Sequence, residues 1–182
     1  MKSYRNLMIT GSKNSGKTTL ANWLLEQFQK PFVGYRTLPA TETEAGPLYK
    51  MQDLSTGNEQ LISAYVDGRI RGIPSAFEEF GVQVLKNALE NTAPVILLDE
   101  IGRFEKNCEA FLENVFAIAD SEKFAILILK KENLAHIQKL KEREDSLVID
   151  LDEISREDAR SLLQRHVAEA AAELESDLIH FS

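Results

Sequence analysis

Cysteine is nearly missing: Cys108 is the single thiol in 182 residues, so no disulfide can form within the chain. That usage fits a reducing compartment such as the cytoplasm, and Cys108 itself reads as a small, half-buried residue near a helix start. No apolar run approaches the roughly 20 residues a membrane-spanning helix needs. The N-terminus reaches Gly11-Ser12-Lys13 too soon to hold a signal-peptide core. Positive charge is in deficit, 21 Lys and Arg against 29 Asp and Glu, for a net charge of −8. Such a surface repels phosphate backbones and argues against a nucleic-acid partner. Repeats and low-complexity tracts are lacking. His136, His166 and His180 show no metal-ligand spacing and read as helix-surface residues, which removes a zinc site. What is left, 43% hydrophobic and 27% charged, has the balance of a globular protein with one domain over residues 1–182. A cytosolic monomer or small oligomer is expected.

Against these absences, one segment is specific. Gly11-Ser12-Lys13-Asn14-Ser15-Gly16-Lys17-Thr18 spells G-x-x-x-x-G-K-[ST], a phosphate-binding loop. The apolar Leu7-Met8-Ile9 before it reads as a strand, and Thr19 onward as a helix with Leu20, Trp23 and Leu24 on one face. The glycines let successive N–H groups turn inward on phosphate oxygens, and the helix N-terminus adds unpaired donors. Lys17 supplies charge to the β- and γ-phosphates, the Thr18 hydroxyl is placed to ligate Mg²⁺, and Thr19 completes the nucleotide-binding segment. Lys13, at a variable position of the loop, is expected to point to solvent. A glycine-rich surface turn would explain the letters but not their strand–loop–helix setting.

The remainder alternates strand and helix. Residues 31–37 read as a second strand. From Leu38 to Pro74 short runs broken by Gly, Pro, Thr and Asp suggest a β-hairpin insertion, with Ser55-Thr56-Gly57-Asn58 as its turn. Ser75 with Glu78 reads as a capping box opening a helix whose apolar face is Phe77, Phe80, Val84, Leu85 and Leu89, and Pro94 stops it. Val95–Leu98, Phe124–Leu129 and Leu147–Ile149 are further strands, with helices near 107–119 and 133–143. Ser155 caps a last helix carrying Ala159, Leu162, Leu163, Val167, Ala170, Ala171 and Leu174. The expected class is α/β, the three-layer fold of P-loop NTPases with a mainly parallel central sheet.

Asp99-Glu100 ends the most apolar strand, and ligands in open α/β sheets bind at such ends. Asp99 there can hold the Mg²⁺ shell, and Glu100 can orient an attacking water. Asp99-Glu100-Ile101-Gly102 also fits the D-x-x-G of small GTPases. The guanine-reading N-K-x-D is absent, however, since Lys130-Lys131-Glu132-Asn133 stands in its place. The interval from Lys17 to Asp99 has room for an extra strand–helix pair, so the Ras-like reading is set aside and base preference stays open. Arg103 is a candidate cation for charge developing on the γ-phosphate, as is Arg36; a surface ion pair is the plainer fate of either.

Three stretches together resemble the small P-loop nucleoside-triphosphatases, the family that includes the cancer-related nucleoside-triphosphatase. They are Gly11–Thr19, Gly34-Tyr35-Arg36-Thr37, and Asp99-Glu100-Ile101-Gly102-Arg103-Phe104-Glu105 with Phe111 downstream, the last close to the family's D-E-I-G-[KR]-M-E. Tyr65, the Lys141/Arg143 pair and Arg156 are weaker echoes. The resemblance implies Mg²⁺-dependent hydrolysis of nucleoside triphosphates (ATP and/or GTP) to diphosphates, with broad base tolerance. It puts phosphate binding on Gly11–Thr18 and the catalytic carboxylate on Glu100, beside Lys17 and Arg103. After Gly-x-x-Thr the family continues with acidic and arginine residues, whereas this chain has Leu38–Leu48 without arginine, so a substrate role for that loop is in doubt. Two alternatives stand beside hydrolysis. One is a nucleoside or nucleotide kinase, for which Arg69 and Arg71, or Lys139, Lys141 and Arg143, would supply a basic lid. The other is a nucleotide-gated binding module that a protein partner activates.

Overall fold

Hydrophobic runs that are apolar at every position must be covered on both faces, and the fold places them at the centre of a sheet. The computed structural model describes residues 4–179, with side chains as far as residue 173. The chain begins with β1 (Asn6–Thr10) and α1 (Lys17–Phe28). Five strands follow: β2 (Phe32–Thr43), β3 (Gly46–Asp53), β4 (Glu59–Leu61), β5 (Ser63–Val66) and β6 (Arg69–Gly72). A short α2 (Pro74–Ala76) runs through a wider π-type segment, Phe77–Gly81, into α3 (Val82–Glu90). Then come β7 (Val95–Ile101), α4 (Glu109–Asp120), β8 (Phe124–Leu129), α5 (Ala135–Lys141), β9 (Ser146–Asp150) and α6 (Arg156–Ile179).

The main sheet has the order β4-β3-β2-β7-β8-β1-β9. Its β2, β7, β8, β1 and β9 are parallel, and β3 and β4 add antiparallel strands at one edge. The parallel strand β2 and the α2–α3 helix fill the interval between Lys17 and Asp99, the extra pair anticipated there. Alternate residues of each central strand feed two separate cores, as a period of two requires. Leu7, Ile9, Val95, Leu97, Ile126 and Ile128 pack against α1 and α6. Met8, Ile96, Leu98, Ala125 and Leu127 pack against α3 and α4. Helix, sheet and helix thus form three layers, and the strand ends carrying Gly11, Asp99 and Lys130 share one edge. No described helix is long and apolar enough to cross a membrane.

The insertion is larger than one hairpin. The expected turn at 55–58 does join paired strands, with Lys50 opposite Leu61. Asp53 builds it: its carboxylate accepts the Ser55 N–H at 2.8 Å and the Thr56 hydroxyl at 2.9 Å, and Gly57 takes φ 77°. Beyond this, β2 continues through Pro39 to pair with β3, and β5 with β6 forms a separate two-stranded ribbon.

Two local expectations are corrected. Ser75 is no cap: the helix begins one residue earlier at Pro74, Ile73 precedes it, and no side chain caps it. Proline, having no N–H to leave unpaired, suits the first helical position. Cys108 is fully rather than half buried, 1% exposed, and its burial pushes the thiol up to about 11. The cap at Ser155 holds: its Oγ accepts the Asp158 N–H at 3.0 Å and donates to the Asp158 carboxylate. Side chains from residue 174 on, Leu174 and His180 included, lie outside the described residues.

Candidate active site

The loop between β1 and α1 is shaped by residues that tolerate a left-handed backbone. Gly11, Asn14 and Gly16 have φ of 145°, 64° and 100°. At Gly16 a Cβ would also lie 2.8 Å from the Arg156 guanidinium, whose Nε donates to the Ser15 carbonyl at 3.1 Å. Gly16 heads α1, with Leu20 N–H bonding its carbonyl at 2.9 Å. Lys17 folds back over the loop, donating to the Gly11 and Ser12 carbonyls at 3.0 and 2.9 Å. Ser15 Oγ is buried and has no partner among the described residues. Lys13 is exposed, as expected, and still lines the cleft above the loop.

Opposite the loop, β7 delivers Asp99 and Glu100. Its register against β8 slips between Asp99 and Ile101, where the Asp99–Glu100 peptide is cis. Asp99 is 6% exposed and accepts the Thr18 hydroxyl at 3.4 Å. Burial, then the neighbouring Glu100, pushes its carboxyl up to about 6, against the opposing pull of Arg36, Thr18 and Lys17. Two hard oxygen donors, Thr18 Oγ1 and Asp99 Oδ2, therefore converge beside the loop. Hard donors of this kind, few in number and next to a phosphate cradle, fit Mg²⁺. Groups of three or more His, Cys, Asp and Glu that could cage an ion without substrate are not found among the described residues. The Glu100 side chain lines the cleft, its N–H donates to Thr37 Oγ1 at 3.2 Å, and its carboxylate lies 3.5 Å from Lys130 Nζ.

The two candidate arginines part ways. Arg36 pairs in register with Asp99 on β2, and its guanidinium donates to Asn22 of α1 rather than entering the cleft. Arg103 lines the cleft mouth, but it is 57% exposed, bonds Glu132 at 3.4 Å and covers the Phe104 ring. Glu105, on the same loop, is 2% exposed and accepts the Gly102 N–H. Burial raises its carboxyl from the usual 4.5 to about 8. His136 is not a surface residue: it is 6% exposed, and its Nε2 lies 2.9 Å from the Gly102 carbonyl. That nitrogen must carry the proton, because a carbonyl can only accept. Gly102 is thus pinned through both its N–H and its C=O. His166 meets the Tyr4 ring at a tilt of 55°, with centroids 5.4 Å apart.

Two residues that line the cleft, and one that braces its loop, were not singled out from the sequence as functional. Lys130 and Lys131 follow β8, where only a missing guanine motif was sought. Asp152, after β9, accepts the Ser12 N–H at 2.9 Å and the Ser12 hydroxyl at 2.8 Å, and Lys131 ties it to Asp150 with contacts of 2.9 Å to each. These bonds hold the Asp152 carboxyl down at about 2. Basic residues after a buried parallel strand were the available signal, since such strand ends face the ligand. The cleft measures about 780 Å³ and reaches from the loop to Gly46, Pro47, Tyr49 and Ile70 of the insertion.

A strand–loop–helix phosphate cradle facing an acidic strand end across a mainly parallel sheet defines a P-loop NTPase. A family model described as NTPase matches residues 6–165, and the chain belongs to that family, one of nucleoside-triphosphate-hydrolysing enzymes. Among its relatives, the nucleoside-triphosphatase THEP1 of Thermotoga maritima is 33% identical over 156 residues, covering 82% of this chain and 88% of the relative. That of Korarchaeum cryptofilum is 27% identical over 165 residues, covering 86% and 84%. Two solved folds are similar at 22% identity each. The crystal structure of THEP1 from Aquifex aeolicus has a TM-score of 0.67, with 87% of this chain and 98% of that chain covered. The solution structure of a human cancer-related nucleoside triphosphatase has a TM-score of 0.65, with 90% and 96% covered.

Proposed function

We propose that the protein, acting as one domain in the cytoplasm, hydrolyses nucleoside 5′-triphosphates to diphosphate and phosphate with Mg²⁺ and broad base tolerance. The observation that carries this reading is the meeting of Thr18 and Asp99 at 3.4 Å on a cleft that also holds Lys17 and Glu100. In this reading Gly11–Thr19 wraps the phosphates with backbone N–H groups. The Lys17 ammonium leaves the loop carbonyls for the β- and γ-oxygens, spreading their charge. Thr18 and Asp99 would hold Mg²⁺, which when bound neutralises charge on the β- and γ-phosphates. Glu100, half-exposed at the strand end, accepts a hydrogen bond from water and aims it at the γ-phosphorus in line with the departing diphosphate. Base tolerance is supported by Lys131, which is occupied by Asp150 and Asp152 where a guanine-reading motif would otherwise stand.

The kinase alternative draws less support. The basic residues that would form its lid do not line this cleft: Arg69 and Arg71 are exposed on β6, Lys139 lines a separate groove beside α4, and Arg143 bonds Asp120 and Asp145. The test is phosphate release from ATP, GTP, CTP and UTP by the parent and by Glu100→Gln. Nucleotide affinity is expected to persist in the variant while turnover drops by about two orders of magnitude. Equal turnover in the two proteins removes Glu100 from the chemistry. Transfer to added nucleosides or monophosphates would mean a kinase, and release that rises only with lysate would mean partner gating.

A further inference from the structure

We infer that Lys130 is the positioning residue for Glu100, holding its carboxylate from the end of β8. The inference rests on the hydrolytic reading above and deepens it. Lys130 is the first residue after β8, and its backbone N–H bonds the Ile101 carbonyl of β7 at 2.9 Å, so its origin is fixed relative to the Asp99–Glu100 strand end. β8 lies between β1 and β7. A side chain leaving its end therefore enters the gap between the phosphate loop and Glu100.

Four contacts then determine where the ammonium sits. The lysine stem passes over Gly102, where an added Cβ would meet Lys130 Cδ at 2.8 Å and displace the stem from this path. The ammonium lies 5.4 Å from the Phe104 ring centre and 5.8 Å from that of Tyr49, a two-ring platform for a cation. Its near anion is Glu100, at 3.5 Å, with side chains 30% and 25% exposed. An exposed ion pair of this length would orient little. Here the stem is clamped, the rings hold the head, and the pair is half withdrawn from water, so the lysine has a fixed address. The Glu100 backbone is held by Thr37, which accepts its N–H, and by the Tyr35 hydroxyl, which donates to its carbonyl, while its carboxylate faces Lys130. Arg103 shares the Phe104 ring but is largely exposed and turned to Glu132, away from Glu100.

A residue that acts by holding Glu100 should change turnover, leave nucleotide binding alone, and matter only while Glu100 is present. The experiment is a double-mutant cycle of Lys130→Met and Glu100→Gln, with Lys130→Arg alongside, measuring kcat, KM and the affinity for a nucleoside diphosphate with Mg²⁺. Lys130→Met should lower kcat by about 10- to 100-fold with KM and affinity within about twofold, the affinity also reporting a folded protein. Lys130→Arg should recover part of the loss. The double variant should be no slower than Glu100→Gln alone, because both changes disable one device. Losses that multiply, a raised KM at unchanged kcat, weakened nucleotide affinity, or full activity in Lys130→Met each overturn the inference. Should Glu100→Gln itself keep parental turnover, the hydrolytic reading fails instead, whatever Lys130→Met does.

Discussion

Glu105 stands on the loop that follows β7, buried where Glu100 at the strand end faces the cleft. Its carboxyl is shut away from water, and burial raises it from the usual 4.5 to about 8, so the folded chain holds a proton that the unfolded chain would release. Such a group stabilises the fold fully below about 4.5, and that contribution is lost as pH rises through about 8. Glu105→Gln retains an oxygen to accept the Gly102 N–H and has no proton to lose. The variant should melt higher than the parent at pH 9, with the gap closing towards pH 5. Thermal melts at a series of pH values check this, and parallel curves for the two proteins would contradict it. The site's residues differed in how far the sequence disclosed them. That Lys17, Thr18, Asp99 and Glu100 would come together was legible, because the loop motif has fixed spacing and the acidic pair a fixed place at a strand end. Lys130 and Asp152 were not, because each acquires its role from neighbours far along the chain: Lys130 faces a carboxylate 30 residues earlier, and Asp152 meets a loop N–H across 140 residues. His136 was misplaced for the same reason, since only the folded Gly102 carbonyl gives its ring a buried partner.

Among the elements, β2 shows where local patterns stop being informative. Phe32–Arg36 pairs with β7 on one side, and this part was readable as a strand. Beyond Arg36 only β3 remains as partner, across a register shift between Pro39 and Glu42, and a proline interrupts the pattern. Proline is tolerated there because the side away from β3 has no neighbour to receive an N–H. Gly34 marks the stricter part of the same strand. Its φ is 114°, and a Cβ would stand 2.0 Å from the Leu97 carbonyl oxygen of the central strand. Gly34→Ala must therefore push β2 away from β7, and both cores with it. Urea unfolding should show a loss of at least about 3 kcal/mol, or no folded protein. A loss under about 1 kcal/mol would mean that β2 can shift without cost. The α2–α3 helix raises a related point. Its π-type turn at Phe77–Gly81 sits against α4, where Phe77 and Phe111 meet edge-on with centroids 5.1 Å apart and Gly81 lies against the Phe111 ring. Helical periodicity located the apolar face, but it gave neither the start at Pro74 nor the irregular turn, which packs against an aromatic ring of another helix.

At the scale of the molecule, net acidity and anion binding coexist because charge is arranged locally. The chain has a net charge of −8, yet Lys13, Lys17, Lys131, Arg103 and Arg156 gather around one cleft, where Lys130 is paired with Glu100. Asp152 works against this gathering by placing a carboxylate on the loop itself, at the Ser12 N–H. Asp152→Asn keeps an oxygen for that N–H and removes the charge. Binding of a nucleoside diphosphate should tighten by about threefold at low salt, and the gain should fade as salt is raised. Calorimetry at two ionic strengths measures it, and an unchanged affinity at low salt would rule out the effect. The same bonds tie β9 and the start of α6 to the first turn of the site. The fold class could be argued from alternation alone, whereas this tie needed the sheet order that sets β9 beside β1.

A last consequence comes from the resting position of Lys17, whose amine braces the carbonyls of Gly11 and Ser12. With its own cation as a clasp, the cradle keeps its shape between catalytic rounds. An arriving triphosphate then meets a receptor already set, and the amine has only to trade one ring of oxygens for another.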